Sequence, residues 1–244
     1  MRESIYQARR DLFETMDIPV TKADISFLKW KQRLRLAFWE IGLRSLLVIK
    51  RTVDIAVSLV ALVLLIPLFL VVAVCILMDD GFPVLLMQKR VGLYGREFRL
   101  HKFRSMCRDA EGMKDALLDQ NESDDGVIFK MKNDPRITRI GRMIRRFSID
   151  EMPQFLNVLV GDLALVGPRP PLPEEVAKYT LSDRKRLHVK PGLTCLWQIQ
   201  GRSEIPFDRL VSLDMQYIRS QSLWKDIVII IKTIPAVLFG RGAY

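Results

Sequence analysis

Between Ile55 and Met78 the chain reads IAVSLVALVLLIPLFLVVAVCILM, 24 residues without a charge. A helix rises about 1.5 Å per residue, so this run is roughly 36 Å long, enough to cross a bilayer. It is the only bilayer-length apolar run in the sequence. Two details constrain its path. Pro67 lies near its centre, and a proline removes an amide donor and crowds the carbonyl four residues back. Basic residues flank both ends equally: Lys31, Arg33, Arg35, Arg44, Lys50 and Arg51 before it, Lys89, Arg90, Arg96, Arg99, Lys102 and Arg104 after it. A spanning helix normally carries its Lys and Arg excess on the cytoplasmic side. Two readings follow: a helix that enters, breaks near Pro67 and returns, or a kinked spanning helix, since lipid-embedded helices tolerate proline.

The neighbouring segments point to a membrane as well. LKWKQRLRLAFWEIGLRSLLVIK mixes Trp30, Phe38 and Trp39 with Lys and Arg, the pattern of a helix lying at an interface. SLWKDIVIIIKTIPAVLFG is apolar but interrupted by Lys232 and Pro235. It reads as a second interfacial or half-buried helix, or as a core helix. The opening MRESIYQARRDLFE is polar and charged, so no cleaved signal peptide is expected.

The net charge of +10 over 244 residues directs attention to polyanionic partners: nucleic acid, anionic headgroups or phosphorylated substrates. Cys75, Cys107 and Cys195 are odd in number and lack CxxC spacing, which argues against a disulfide framework or zinc site and for a reducing compartment. With only His101 and His188 present, a His-based metal site or a Ser-His-Asp triad has little material. No Walker loop or GxGxxG occurs.

In the polar region, VLLMQKRVG and REFRLHKFRSM alternate as two short strands about a turn at Gly92–Gly95. Residues 108–121 are expected to be helical, and DPRITRIGRMIRRFSIDEMPQFLNVLVGD reads as two helices joined at Ser148. GPRPPLP is a rigid loop, TCLWQIQG a strand or extended piece. In IPFDRLVSLDMQYIRSQ, Phe207, Leu210, Val211, Tyr217 and Ile218 share one helical face.

RITRIGRMIRRFSIDEMPQF concentrates the chemistry. Arg136, Arg139, Arg142 and Arg145 recur every three residues beside Ile137, Ile140, Ile144 and Phe147, a guanidinium row next to an apolar stripe. That suits a phosphate-rich surface, or simply a solvated basic face. Asp150 and Glu151 follow. Ser148 with Glu151 fits a capping box, with Pro153 in the first turn. Adjacent carboxylates also point about 100° apart on a helix, so one can attack phosphorus while the other holds a divalent cation. In GPRP, Arg169 stands between two prolines, whose fixed backbone lowers the entropy lost on gripping an anion; the plain alternative is a rigid connector.

Taken together, KRTVDIAVSLVALVLLIP, QKRVG, the FRSM of HKFRSM, SIDEMPQFLNVLVGDLALVGPRP, KPGLTCLWQIQGR and LDMQYI resemble the bacterial sugar transferase family, small monotopic phosphoglycosyl transferases acting on a polyprenol carrier. The match runs in order from about Lys50 to Ile234, with residues 1 to about 45 resembling the short amphipathic extension of some members. The resemblance implies an α/β, mainly helical monotopic protein. Its parts would be an N-terminal amphipathic extension (1–48), a re-entrant membrane hairpin (49–80), a cytoplasmic catalytic domain (81–220) and a C-terminal interfacial helix (221–244). It implies transfer of a sugar-1-phosphate from a nucleoside diphosphate sugar, usually a UDP-sugar, to undecaprenyl phosphate at the cytoplasmic face of a bacterial inner membrane. Asp150 would be the nucleophile, Glu151 would help bind Mg²⁺, and Arg145 and Arg169 would hold phosphate oxygens. Lys102 and Arg90 join them as candidate phosphate-binding groups, and Pro67 would break the hairpin. Partners would be both substrates and membrane lipids, with a homodimer left open and no nucleic acid. Two positions depart from the family pattern: Ile66-Pro67 stands where many relatives have Ser-Pro, and Cys195 where relatives often have Gly. The rival classes are a basic nucleic-acid binder, which the apolar run argues against, and a silent membrane scaffold, which the intact Asp150-Glu151 pair argues against.

Overall fold

The computed structural model describes residues 7, 22–113, 116–117, 121–122, 127–129, 131, 133–201 and 205–238. The chain divides into two units, residues 1–49 and 50–244, with the division inside helix α1 (Lys22–Asp80). Apart from residue 7, the described part of the first unit is the beginning of that helix. It exposes Phe27, Trp30, Leu34, Leu36 and Phe38, and the Phe27 and Trp30 rings lie 6.0 Å apart. The side chains of Trp39 and Arg44, part of the expected interfacial pattern, lie outside the described residues.

In the second unit α1 carries the apolar run, and Ser45–Asp80 is long and apolar enough to cross a membrane. Leu59, Val60, Val63, Leu64, Ile66, Leu70, Val71 and Val74 are exposed. A contiguous apolar surface of that kind is stable against lipid, not water, so the protein is membrane-associated. Helix α1 is continuous through Pro67. Both ends of the run are tied into the polar body of this same unit. At the first, Lys50 pairs with Asp226, Arg51 donates to the Leu159 carbonyl at 2.8 Å, and Asp54 accepts from the Leu165 amide at 3.2 Å. At the second, Asp79 accepts from the Ile140 amide at 3.1 Å and Asp80 pairs with Arg104 at 3.1 Å.

The body is mainly helical with two small sheets. Strands β1 (Leu85–Val91) and β2 (Glu97–Phe103) form the expected antiparallel hairpin. Its turn is a 3-10 segment, Leu93–Gly95, with Tyr94 left-handed. Of the helix expected over residues 108–121, the described residues show turns at 108–113 and a 3-10 pair at 116–117. There the Cys107 amide donates to the Arg136 carbonyl at 2.8 Å and the Met113 amide to the Asp109 carbonyl at 3.1 Å. Helix α2 (Arg139–Arg146) begins at Thr138, whose hydroxyl accepts from the Gly141 amide at 2.9 Å. Arg136 thus falls outside the guanidinium row. It is buried and paired with Asp134 at 2.7 Å, while Arg139, Arg142 and Arg146 are exposed. The apolar stripe of α2, Ile140 and Ile144, packs on Val72, Ile76 and Phe103, so α2 lies against the far end of the apolar run.

A 3-10 turn (Ile149–Gln154) leads into helix α3 (Phe155–Val160), the two-helix arrangement expected from the sequence. Strand β3 (Ala164–Val166) pairs in parallel with β4 (Gly192–Thr194). Between them lie the proline loop, helix α4 (Pro173–Ala177) and a 3-10 turn (Asp183–His188). TCLWQIQG is only briefly a strand, since Leu196–Gln200 forms helix α5. Helix α6 (Phe207–Arg219) buries Phe207, Leu210 and Tyr217 of the expected face and Leu213 besides, with Val211 and Ile218 only partly buried against the core, and helix α7 (Leu223–Leu238) is half-buried, with Ile229 in the core and Trp224, Ile227, Ile231 and Ile234 exposed.

Candidate active site

A cavity of about 870 Å³ opens beside the β1–β2 hairpin, and Asp150, Glu151, Lys102, Arg90, Arg145 and Arg169 all line it. The structure therefore brings together every candidate phosphate and catalytic residue named above. Pro67 is not among them; it lies in α1, on the apolar run.

The carboxylates are placed by the turn at Ser148. Its backbone is left-handed (φ 53°) and its side chain makes no cap bond. The capping-box reading is therefore corrected: a capping residue needs extended backbone to reach the amides that follow, and Ser148 has the opposite hand. The strained residue ends α2 and starts the tight turn that carries the dyad. Asn157 on α3 fixes that turn against β2: its Oδ1 accepts from the His101 amide at 3.0 Å and its Nδ2 donates to the Arg99 carbonyl at 2.7 Å. Lys102, the next residue along β2, then reaches Glu151 Oε1 at 3.1 Å.

The environments of the two acids differ. Asp150 is 6% exposed. Burial, together with the charge of Glu151 beside it, pushes its carboxyl up to about 6. Burial pushes Glu151 the same way, but the Lys102 ammonium, with Arg169 and Arg90 behind it, overrides this and holds Glu151 below its ordinary value. A carboxylate of raised pKa is the more basic and more nucleophilic oxygen. One of low pKa stays anionic and serves as an electrostatic anchor. Glu151 suits Mg²⁺, which takes one or two protein carboxylates and completes its shell with water and substrate phosphate. Among the described residues no group of three or more His, Cys, Asp or Glu side chains forms a protein-only metal cage.

The GPRPP loop forms the opposite wall. Pro168, Pro170 and Pro171 have no amide hydrogen to offer, so the loop is held through its oxygens. The Pro168 carbonyl accepts from the Gly192 amide at 2.9 Å, that of Arg169 from Arg186 Nη2 at 3.2 Å, that of Pro170 from Arg90 Nη1 at 2.9 Å, and that of Pro171 from the Val91 amide at 2.9 Å. The Arg169 guanidinium sits over the Trp197 ring, 5.4 Å from its centre. Arg90 is thus occupied as a brace: buried, held by Gln88 Oε1 at 2.7 Å, and lowered to about 10 by burial and by Arg169. Lys102, Arg145 and Arg169 are less buried than Arg90 and face the same space.

Sequence reasoning missed Arg186 and Asp214, which form an ion pair beneath the loop. A signal was present: Asp214 falls on the apolar face of α6, four residues after Leu210 and three before Tyr217. Cys195, the departure from the family pattern, is buried and also lines the cavity.

The family model for bacterial sugar transferase matches residues 45–240. The chain is 49% identical over 202 residues to a galactosyl transferase, CpsE, of Streptococcus agalactiae, covering 82% of this chain and 44% of that protein. It is 38% identical over 235 residues to the undecaprenyl-phosphate galactose phosphotransferase of Salmonella typhimurium, covering 93% of this chain and 48% of the relative. It is also 38% identical over 198 residues to the exopolysaccharide production protein ExoY of Rhizobium meliloti, covering 80% and 88%. The chain spans about half the length of the first two. The matched region holds the apolar run, the carboxylate pair and the proline loop, and the chain belongs to the bacterial sugar transferase family.

Proposed function

We propose that this chain transfers a sugar-1-phosphate from a UDP-sugar to undecaprenyl phosphate, through a covalent phospho-sugar on Asp150, as the first step of assembling an exopolysaccharide, capsule, O-antigen or glycoprotein glycan. The observation that carries this reading is the buried Asp150 carboxyl in a cavity ringed by Lys102, Arg145 and Arg169, in a body fastened to an exposed apolar helix. An Asp150 oxygen attacks the phosphorus that bears the sugar. The bond from that phosphorus to the bridging oxygen breaks and UMP leaves with the electron pair. An oxygen of undecaprenyl phosphate then attacks the same phosphorus, forms the lipid diphosphate sugar and returns Asp150 as carboxylate. Arg145 and Arg169 hold the phosphate oxygens, with Arg169 kept in place by its prolines and by Trp197. Lys102 fixes Glu151. Glu151 would hold Mg²⁺, which would supply charge neutralisation to the diphosphate. The sugar is not set by any feature above; galactose, named for two of the relatives, is the first to try.

We place the body on the cytoplasmic face of the inner membrane, with the apolar run entering and leaving on that side. The warrant is that Lys50, Arg51 and Asp54 at one end and Asp79 and Asp80 at the other all bond to the same polar body. A spanning helix would put these two sets of anchors on opposite sides of the bilayer.

The test is UMP release over UDP-galactose, UDP-glucose and UDP-N-acetylgalactosamine with undecaprenyl phosphate and Mg²⁺, alongside intact-protein mass after donor alone. A phospho-sugar mass on the peptide holding Asp150, absent in Asp150→Asn, is the expected result. Full turnover in Asp150→Asn overturns the nucleophile assignment.

A further inference from the structure

Arg186 and Asp214 lie outside the cavity lining. Both are buried, 3% and 1% exposed, and paired with each other. A buried ion pair is a poor source of stability, because desolvation offsets its attraction, and well-packed apolar residues of similar volume often do as well. The Arg186 fork, however, is spread over three partners. One nitrogen donates to the Tyr179 hydroxyl at 2.9 Å, while the other meets Asp214 and donates to the carbonyl of Arg169 at 3.2 Å. The carbonyls on either side of it, those of Pro168 and Pro170, are held by Gly192 and Arg90. Arg169 is the one residue of the Pro168–Pro171 stretch with rotatable backbone on both sides of its α-carbon. Its carbonyl is therefore where a small rotation would swing the guanidinium out of the cavity. A planar guanidinium can hold a carbonyl and a carboxylate at once, and Asp214, raised from below on α6, orients it.

We propose that Asp214 and Arg186 are positioning residues for nucleoside-diphosphate binding: they lock the Arg169 carbonyl from beneath the proline loop and so aim its guanidinium at the donor's diphosphate. This inference rests on the reading of Arg169 as a phosphate-binding group. It goes further by assigning that grip to a buried pair that touches no substrate.

The experiment measures the Kd of UDP, in the presence of Mg²⁺, for the full chain in detergent. The variants are Arg169→Ala, Asp214→Asn, the pair of these, and the double variant Arg186→Met/Asp214→Leu with and without Arg169→Ala. The Met/Leu variant leaves no unpaired buried charge, so it remains folded by thermal melting even where Asp214→Asn does not. Arg169→Ala is expected to weaken UDP binding at least tenfold, and Asp214→Asn and the Arg186→Met/Asp214→Leu variant five- to tenfold. Added to Arg169→Ala, they should cause no further loss, because a group acting through Arg169 has nothing left to position. If Arg169→Ala binds UDP like the wild type, the reading of Arg169 fails. If Arg169→Ala is impaired while the Met/Leu variant binds like the wild type, or adds its full effect to Arg169→Ala, the positioning role fails and the pair is structural only.

Discussion

Asp150 is held in a site that opposes its own charge. Its ordinary pKa is 3.8 and burial with Glu151 raises it to about 6. A carboxyl of this kind favours the fold while protonated. That contribution is complete below about pH 4 and is lost as the pH rises through 6. Asp150→Asn is therefore expected to abolish transfer yet melt several degrees higher at pH 7.5, an effect on the order of 2 kcal/mol, with the gap closing near pH 4. The same value bears on chemistry: covalent labelling by donor should fall as the pH drops below about 6, measured as phospho-sugar mass in a single turnover. Glu151→Gln should instead weaken the Mg²⁺ dependence of turnover. Arg169→Lys is expected to lose at least tenfold in kcat/KM without a change in melting temperature, since a point charge cannot copy the fork over Trp197. Arg136→Ala should do the reverse. It strands Asp134 in a buried pair, costing on the order of 3 kcal/mol, with melting as the readout.

At the scale of elements, the active site depends on close approaches. Helix α2 passes so near the loop after β2 that a Cβ on Gly141 would sit 1.9 Å from the Ser105 carbonyl oxygen. Gly141→Ala must push the helix away and with it Ser148 and the dyad. The expected outcome is a lower melting temperature and loss of covalent labelling together, checked on the same preparation. Much of this layer was legible in the sequence. The alternation in VLLMQKRVG and REFRLHKFRSM gave the hairpin, and the spacing of Phe207, Leu210 and Tyr217 gave the buried face of α6. What failed has a common cause. Arg136 has the spacing of α2 but is taken by Asp134 two residues earlier. Ser148 has the composition of a cap but a left-handed backbone. In each case a partner set by tertiary or turn geometry, invisible in the local pattern, decided the outcome.

For the whole molecule, the proposed return of the apolar run, argued from its two fastened ends, can be tested by which compartment each end meets. Single cysteines at Ser45 and at exposed Lys89, with Cys75 and Cys107 replaced by serine and Cys195 buried, should both react from the cytoplasmic side. Neither should label from outside intact cells. External labelling at position 45 would leave a spanning helix. Pro67→Leu restores an amide donor in the middle of the run and should shift one flank outward to the extent that the proline sets the return. The equal basic flanks suggest a return on one side and leave the kinked spanning helix open beside it. The bonds that support the proposed return, from Asp54 to Leu165 and from Asp80 to Arg104, join residues far apart in the chain and could not have been read from it.

The proline loop has a consequence for how substrate capture can be watched. From Gly167 to Pro171 only Gly167 and Arg169 carry an amide hydrogen, and that of Gly167 is bound to the Thr194 carbonyl at 3.1 Å. Amide hydrogen exchange, the usual reporter of a segment tightening on its ligand, is nearly blind there. A donor that seats firmly against this wall should leave the exchange of residues 167–171 almost unchanged. Protection should appear instead across the cavity, in β2 and in the turn that carries Asp150.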